Sequence, residues 1–514
     1  MTRFRTRPDY GPLEPAPYLG TTVRVYARRP RSLDELLRCA AATWPRRTAV
    51  EAPSAVLSYA ELDRAVDAMT AALAAQGAGA GDRIAVALGH DLPLFALPFA
   101  CSRLGATALL LNTALSPVRW SDQLERAGCT LLVADDAHAP RLRSAAGGRP
   151  VRTAAEALRT DAAPTGLIPL PASRAEDHPL ALIATSGTTG VPKMTAVTSR
   201  GLVHAALCYV DLLDLDGTDR TFVALPLHYI GPLSAQTTTM PLVGGCTVIP
   251  SDTRAGGALG RMAAARITHL DAVPSWLSLL VRDTGGTVPA AWRTLIYGGA
   301  PMPPETAARL AARFPALRMF DLWGLSETHG PATALRYDPA APPAPGTVGR
   351  PLPGVEVRSD GEPGELLVRG ANVTPGYLDD PETTAAVLRE GWLATGDVGT
   401  VGADGTVRIL DRKKDVILRG GANVFSVEVE QVLASAGGVV EAAVYGVADG
   451  LGGEAVSAAV VLADGAALDT AALRRLVGER IGRDAVPRRI VALPSLPRNP
   501  TGKIDKRRLR QEHG

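Results

Sequence analysis

Short apolar runs, each followed by an alanine-rich stretch with helical spacing, recur along the first 300 positions and constrain the fold more than any other feature of the chain. They lie at Arg83 to Leu88, Thr130 to Ala134, Leu180 to Ala184, Thr221 to Leu225 and Thr294 to Tyr297. Strands that are apolar on both faces belong to sheets covered on both sides, so the alternation predicts α/β layers with largely parallel sheets. One intervening helix shows its own start. Ser58 and Glu61 have the spacing of a capping box, Leu62, Val66, Met69 and Leu73 share one face, and Gly77 offers a stop.

Beyond Asp338 the pattern changes. The chain becomes rich in Pro and Gly up to Gly354, and Gly364 to Arg369 and Gly405 to Leu410 read as short strands of a smaller β lobe. After the charged run Asp411-Arg412-Lys413-Lys414-Asp415 the pattern resets. A helix is expected near Val427 to Leu433, strands near Val439 to Val447 and Val456 to Leu462, and a helix near Thr470 to Ile481. The expected division is therefore a large N-terminal domain over 1–411, made of layered α/β subdomains plus the β lobe, and a small α+β domain over 412–514.

Composition narrows the function. Apolar residues make up 46% of the 514 positions, enough for a large core. The net charge of +2, with no basic stripe, argues against a nucleic-acid partner. Five scattered cysteines without a CxxC pair suit neither a disulfide framework nor a structural zinc site. The N-terminal arginines are followed by no apolar core, and no stretch approaches 18 uninterrupted apolar residues, so neither signal peptide nor membrane span is expected and the protein reads as cytoplasmic. Among 54 cationic residues only five are lysine, at 193, 413, 414, 503 and 506.

The most informative segment is Thr185-Ser186-Gly187-Thr188-Thr189-Gly190-Val191-Pro192-Lys193, directly after the apolar run Leu180 to Ala184. Two glycines let backbone approach a ligand, four hydroxyls can donate to phosphate oxygens, and the lysine adds a mobile positive charge. It is a phosphate-handling loop but not the Walker form, since Lys193 is not followed by Ser or Thr.

This loop resembles the signature of the adenylate-forming superfamily, closest to acyl-CoA synthetases. The resemblance continues in order through Tyr297-Gly298-Gly299-Ala300-Pro301, Leu322-Trp323-Gly324-Leu325-Ser326-Glu327, Gly364-Glu365-Leu366, Gly376-Tyr377-Leu378, Gly391 to Asp397, Asp411 to Asp415 and Pro500-Thr501-Gly502-Lys503-Ile504. It implies an AMP-forming acid–thiol ligase that uses ATP, magnesium and an acid, with CoA as co-substrate. Glu327 would hold the magnesium, Ser326 would offer a hydroxyl, and Trp323 would stack on adenine. Asp321 would read the adenine amino group, with Leu322, Gly324 and the backbone of Gly298 to Pro301 beside the nucleotide. Asp397 would take the ribose hydroxyls, with Arg412 as its partner from across the domain boundary.

Lys503 resembles the catalytic lysine, whose ammonium would stabilise charge developing on the phosphate oxygens. Lys414 lies where the family hinge lies, and Arg419, Gly420 and Gly421 resemble the loop that faces the pantetheine arm. Each lysine thus falls in a segment tied to ATP chemistry, with Lys413 and Lys506 the least specific. Met194, Ser199 and Ser426 depart from the residues usual in the family. The acid pocket is expected from His228, Tyr229, Ser275, Gly298, Met302, Thr328 and His329. No aspartate occurs between Ala224 and Ser234 to pair with a substrate amine, which disfavours a free α-amino acid. Alternatives are a carrier-protein thiol or an amine as acceptor, and a non-carboxylate oxyacid such as nitrite as the activated group. The protein is expected to be a monomer or homodimer.

Overall fold

The computed structural model describes all residues except 1–8, 159–175, 186–192, 284, 286–287, 420–421, 450–452 and 499–503. The chain divides into two compact units, Met1–Val357 with Val368–Leu393, and Arg358–Leu367 with Ala394–Gly514.

The first unit holds two sheets with helices packed on them. One runs in the order Lys193–Thr198, Pro179–Thr185, Thr107–Leu110, Arg83–Ala87, Leu131–Ala134, Val151–Thr153. All its pairs are parallel except the first, the hairpin whose ends are Thr185 and Lys193. The second sheet has a parallel centre of Cys246–Val248, Arg220–Val223, His269–Ala272, Thr294–Gly298 and Arg318–Leu325. It continues through Gly330–Arg336 by antiparallel pairing. The apolar runs became these strands because both of their faces are covered. In His269–Ala272, Leu270 and Ala272 pack into a core with Leu295, Leu277 and Leu310. The opposite face of that strand, with His269 and Asp271, is equally buried.

The expected helix start is present: Ser58 N–H donates to Glu61 Oε2 at 2.8 Å, and the capping box opens a helix over Tyr59–Ala75. Its buried face includes Leu62, Val66, Met69 and Leu73.

The second unit contains a three-stranded sheet, Val439–Asp449, Gly453–Leu462 and Arg489–Ala492, with helices Ser426–Ala434 and Thr470–Arg480. Val429, Leu433, Val444, Val456, Leu473 and Val477 form its core. Trp392–Val401 pairs antiparallel with Val407–Arg412.

Candidate active site

Three chain segments of the first unit converge beside Thr185 and Lys193, the two residues that bound the described part of the phosphate-loop segment. Glu327 stands on a 3₁₀ turn, Ser326–Thr328, fixed from several sides. Thr328 Oγ1 accepts from Leu325 N at 2.8 Å and lies 2.6 Å from the Gly330 carbonyl. Thr374 N donates to the Glu327 carbonyl at 2.8 Å. His329 follows in the left-handed region at φ 52°. Its Nε2 accepts from Thr198 N at 2.9 Å while Nδ1 donates to the Asn372 carbonyl at 2.8 Å, which fixes a neutral tautomer. Burial pushes that imidazole down to about 4.

The turn presents the Glu327 carboxylate to Tyr377, whose hydroxyl donates to Oε1 at 3.0 Å, and to Thr185, whose Oγ1 lies 3.5 Å away. The Lys193 ammonium sits 4.9 Å above the Tyr377 ring. Burial, then the neighbouring carboxylate, raises the Tyr377 phenol, so it stays a donor. Among the described residues Glu327 forms no ion pair, and no group of three or more His, Cys, Asp or Glu could hold a metal. A lone carboxylate beside a phosphate loop suits magnesium, which keeps several waters and takes its other oxygens from substrate phosphates.

Next to this edge, Gly298 sits opposite Leu322 on paired strands, so close that a β-carbon there would lie 2.3 Å from the Leu322 carbonyl. Only glycine permits that approach. Gly299, Ala300 and Pro301 are exposed beyond the strand end. Asp321 pairs in register with Tyr297, and burial pushes its carboxyl up to about 7, opposed by the Leu322 N–H. Trp323 is buried, while Gly324 and Ser326 are half-buried.

In the second unit Asp397 and Arg412 are cross-strand partners, with Arg412 Nε 2.7 Å from Asp397 Oδ1. This corrects the expectation that Arg412 reaches Asp397 from a separate domain: the strand register sets them side by side. Glu365 ties down the same corner, accepting from Gly396 N at 2.9 Å and pairing with Lys413 at 2.7 Å. Lys414 is exposed in the following turn. Arg419 spends its guanidinium on the carbonyls of Asp484 and Val486. Lys506 is half-buried against Glu430 and Ser426, both 2.7 Å away, and Ser426 in turn donates to Asp411. Ser426, the departure from the usual proline, therefore anchors a polar cluster. Ser186 to Pro192, Gly420, Gly421 and Lys503 lie outside the described residues.

The acid-pocket expectations divide. The rings of His228 and Tyr229 are in tilted contact with centroids 4.4 Å apart, and Tyr229 OH accepts from Asn112 at 3.1 Å. Burial pushes His228 down to about 4 and leaves its Nε2 without a partner among the described residues. Met302 packs against the core beneath the strand end. His329 and Thr328 are corrections: both are fully buried, and their polar atoms serve the turn that carries Glu327. Ser275 is also a correction, since it is exposed in the first turn of helix Pro274–Arg282. Sequence reasoning passed over Tyr377, although it lies in a quoted motif, and Asp271, a lone carboxylate in an apolar strand.

Residues 37–378 match the AMP-binding enzyme model and 428–503 the AMP-binding enzyme C-terminal domain. The fold and site thus define an adenylate-forming enzyme. The chain belongs to the AMP-binding enzyme family. It is 33% identical to a feruloyl-CoA synthase of Amycolatopsis over 486 residues, 91% of this chain and 96% of the relative. The o-succinylbenzoate CoA synthetase MenE of Bacillus subtilis, solved with ATP and magnesium, superposes with a TM-score of 0.81 at 29% identity, covering 93% of this chain and 98% of that one. The amide bond synthetase McbA of Marinactinospora thermotolerans superposes at 0.84 with 30% identity, covering 93% and 99%. The chain is an acyl-CoA synthetase-like adenylating enzyme. No helix among the described residues is long and apolar enough to cross a membrane.

Proposed function

We propose that this chain uses ATP and magnesium to convert a carboxylic acid into its acyl-adenylate, releasing pyrophosphate, and then passes the acyl group to the thiol of CoA. The observation that carries this reading is Glu327, held through Oε1 by Tyr377 and Thr185 near Lys193, with no described residue bonded to its second carboxylate oxygen. Magnesium held there neutralises phosphate charge; the chain's own residues do the rest. Lys193 and the hydroxyls of Thr185, Ser186, Thr188 and Thr189 bind phosphate oxygens, and Gly298 to Pro301, Asp321 and Trp323 receive the base.

The carboxylate oxygen of the acid attacks the α-phosphorus and pyrophosphate leaves. Lys503 stabilises the charge that spreads over the phosphate oxygens. The residues beyond Lys414 then turn about it so that Arg419, Gly420 and Gly421 face the pantetheine arm. CoA relatives such as the feruloyl-CoA synthase support a thiol acceptor. The likeness to McbA favours an amine as second acceptor. A carrier-protein thiol, and nitrite as the activated oxyacid, complete the set of variants. The enzyme works in the cytoplasm, as a monomer or homodimer, where ATP and CoA are available.

Pyrophosphate release across a panel of acids, alone and with CoA, an amine or a carrier protein, tests this reading. CoA-dependent thioester formation is expected. Turnover with an amine but not with CoA moves the assignment to amide synthesis, and no release with any acid or with nitrite overturns it.

A further inference from the structure

Asp271 is the one carboxylate on the buried inner face of strand His269–Ala272, at 9% exposure. Its Oδ2 lies 3.5 Å from where a β-carbon on Gly231 would stand, so it abuts the pocket segment that begins at Leu227. Ser234 is hydrogen-bonded to the Tyr209 hydroxyl and donates to the Ile230 carbonyl at 2.9 Å. Both also border Gly330, where a β-carbon would lie 2.8 Å from Ser234 Oγ and 3.5 Å from Tyr209 OH. Asp271 thus sits where the segments after residues 227 and 328 meet, and among the described residues nothing donates to it. Burial alone pushes its carboxyl up to about 7. Two residues earlier on the same face, His269 has both ring nitrogens buried without a partner among the described residues. The segment Leu233–Thr238 that covers this floor is a π-helix, a form concentrated at functional sites.

A buried carboxylate with no donor is costly to keep ionised, so it either holds its proton or takes a donor from a ligand. We propose that Asp271 is a specificity residue of the acid pocket, receiving a hydrogen-bond donor, an amino or hydroxyl group, carried on the far end of the substrate acid. The proposal rests on the acid-activating reading above. Strand register sets Asp271 opposite Ile296, two residues and so roughly 7 Å inward of Gly298. That depth suits a donor separated from the carboxyl end by a ring or a short chain, and not one on the α-carbon.

The test compares matched acids that differ only in the distal group: 3- and 4-amino-, hydroxy- and methylbenzoate, and 6-amino-, 6-hydroxy- and unsubstituted hexanoate. Wild type and the Asp271→Leu and Asp271→Asn variants are compared by pyrophosphate release, with melting shifts on adding each acid as a second readout. In wild type, kcat/KM for the donor-bearing member of at least one set is expected to exceed its apolar partner by at least about ten-fold, because a site built to bond a donor rejects the analogue lacking it. Asp271→Leu collapses that ratio to about one. The amino and hydroxy arms separate the two donors. Without ligand, both variants melt at or above the wild-type temperature, which a carboxylate needed for structure would not allow. A preference for the apolar partner in every set, or a ratio unchanged in Asp271→Leu, overturns the proposal. If no acid releases pyrophosphate, acid activation fails as a function, while the melting shifts still decide whether Asp271 selects a donor.

Discussion

The two ends of the candidate site are built on opposite principles. At the nucleotide edge almost every polar atom has a partner: Glu327 is held by Tyr377 and Thr185, His329 is bonded at both nitrogens, and Thr328 closes the turn beneath. At the pocket floor His269 and His228 carry buried ring nitrogens that nothing among the described residues satisfies, and burial raises the carboxyl of Asp271 beside them. Such preorganisation lets the first region bind any ATP in one geometry at no reorganisation cost. The second leaves its polar groups to be completed by one ligand, which is how a binding site gains selectivity. On the proposed function, the fixed region carries the shared chemistry, and the incomplete one carries the identity of the acid.

Changes on the nucleotide side should therefore damage turnover with every acid alike. The largest loss is expected for Lys503→Ala, roughly 10²–10³ in the adenylation rate, the scale of one oriented electrostatic donor. Single-turnover acyl-adenylate formation measures it, and a rate near wild type removes Lys503 from the chemistry. Glu327→Gln is expected to raise the magnesium concentration needed for half-maximal rate and to lower the rate about 10²-fold, with chelation of magnesium abolishing turnover in both proteins. If the magnesium titration is unchanged, the carboxylate is structural. Tyr377→Phe removes one charge-assisted hydrogen bond, about 1–2 kcal/mol, so a roughly ten-fold loss is expected. The comparison sharpens if that loss is equal for all acids and breaks if it depends on the acid.

The smallest effect is one of pH. Burial raises the carboxyls of Asp271 and Asp321 to about 7, whereas unfolded aspartate titrates near 3.9. The folded state then holds protons that the unfolded state has lost, so the stability these groups contribute is full below about pH 4 and declines as pH rises toward 7. Asp271→Asn should flatten the fall in unfolding free energy across that window relative to wild type. An identical pH profile in the two proteins would show that Asp271 titrates as an ordinary exposed carboxylate.

Much of this was legible in the residues because local chemistry set it. The Ser58 and Glu61 capping box needs only three-residue spacing, and the apolar runs needed only burial on both faces to become strands. Glu327 was legible through its motif and not through physics, since nothing local distinguishes it from a solvated surface charge. His329 shows the limit. Adjacency to Glu327 suggested the pocket, but the left-handed residue at the end of the turn sends its ring inward against Gly201, where a β-carbon would lie 2.3 Å away. Asp271 was invisible for a related reason: the alternation His269-Leu270-Asp271-Ala272 marks one polar face, which reads as solvated, whereas in the fold both faces are buried.

The lysines divide along the same line. Lys193 ends the phosphate-loop segment, whereas Lys506 is half-buried and bound to Glu430 and Ser426 in the second unit. Its scarcity in the sequence marked it equally, but its ion pair assigns it to structure.

The account turns on an acyl-adenylate, in which an oxygen of the acid becomes the bridge to phosphorus. Turnover of an acid labelled with ¹⁸O in its carboxyl group, in the presence of CoA and magnesium, followed by mass spectrometry of the nucleotide product, examines that bond directly. AMP carrying one ¹⁸O is the expected result; unlabelled AMP, or ADP with label in inorganic phosphate, would contradict it.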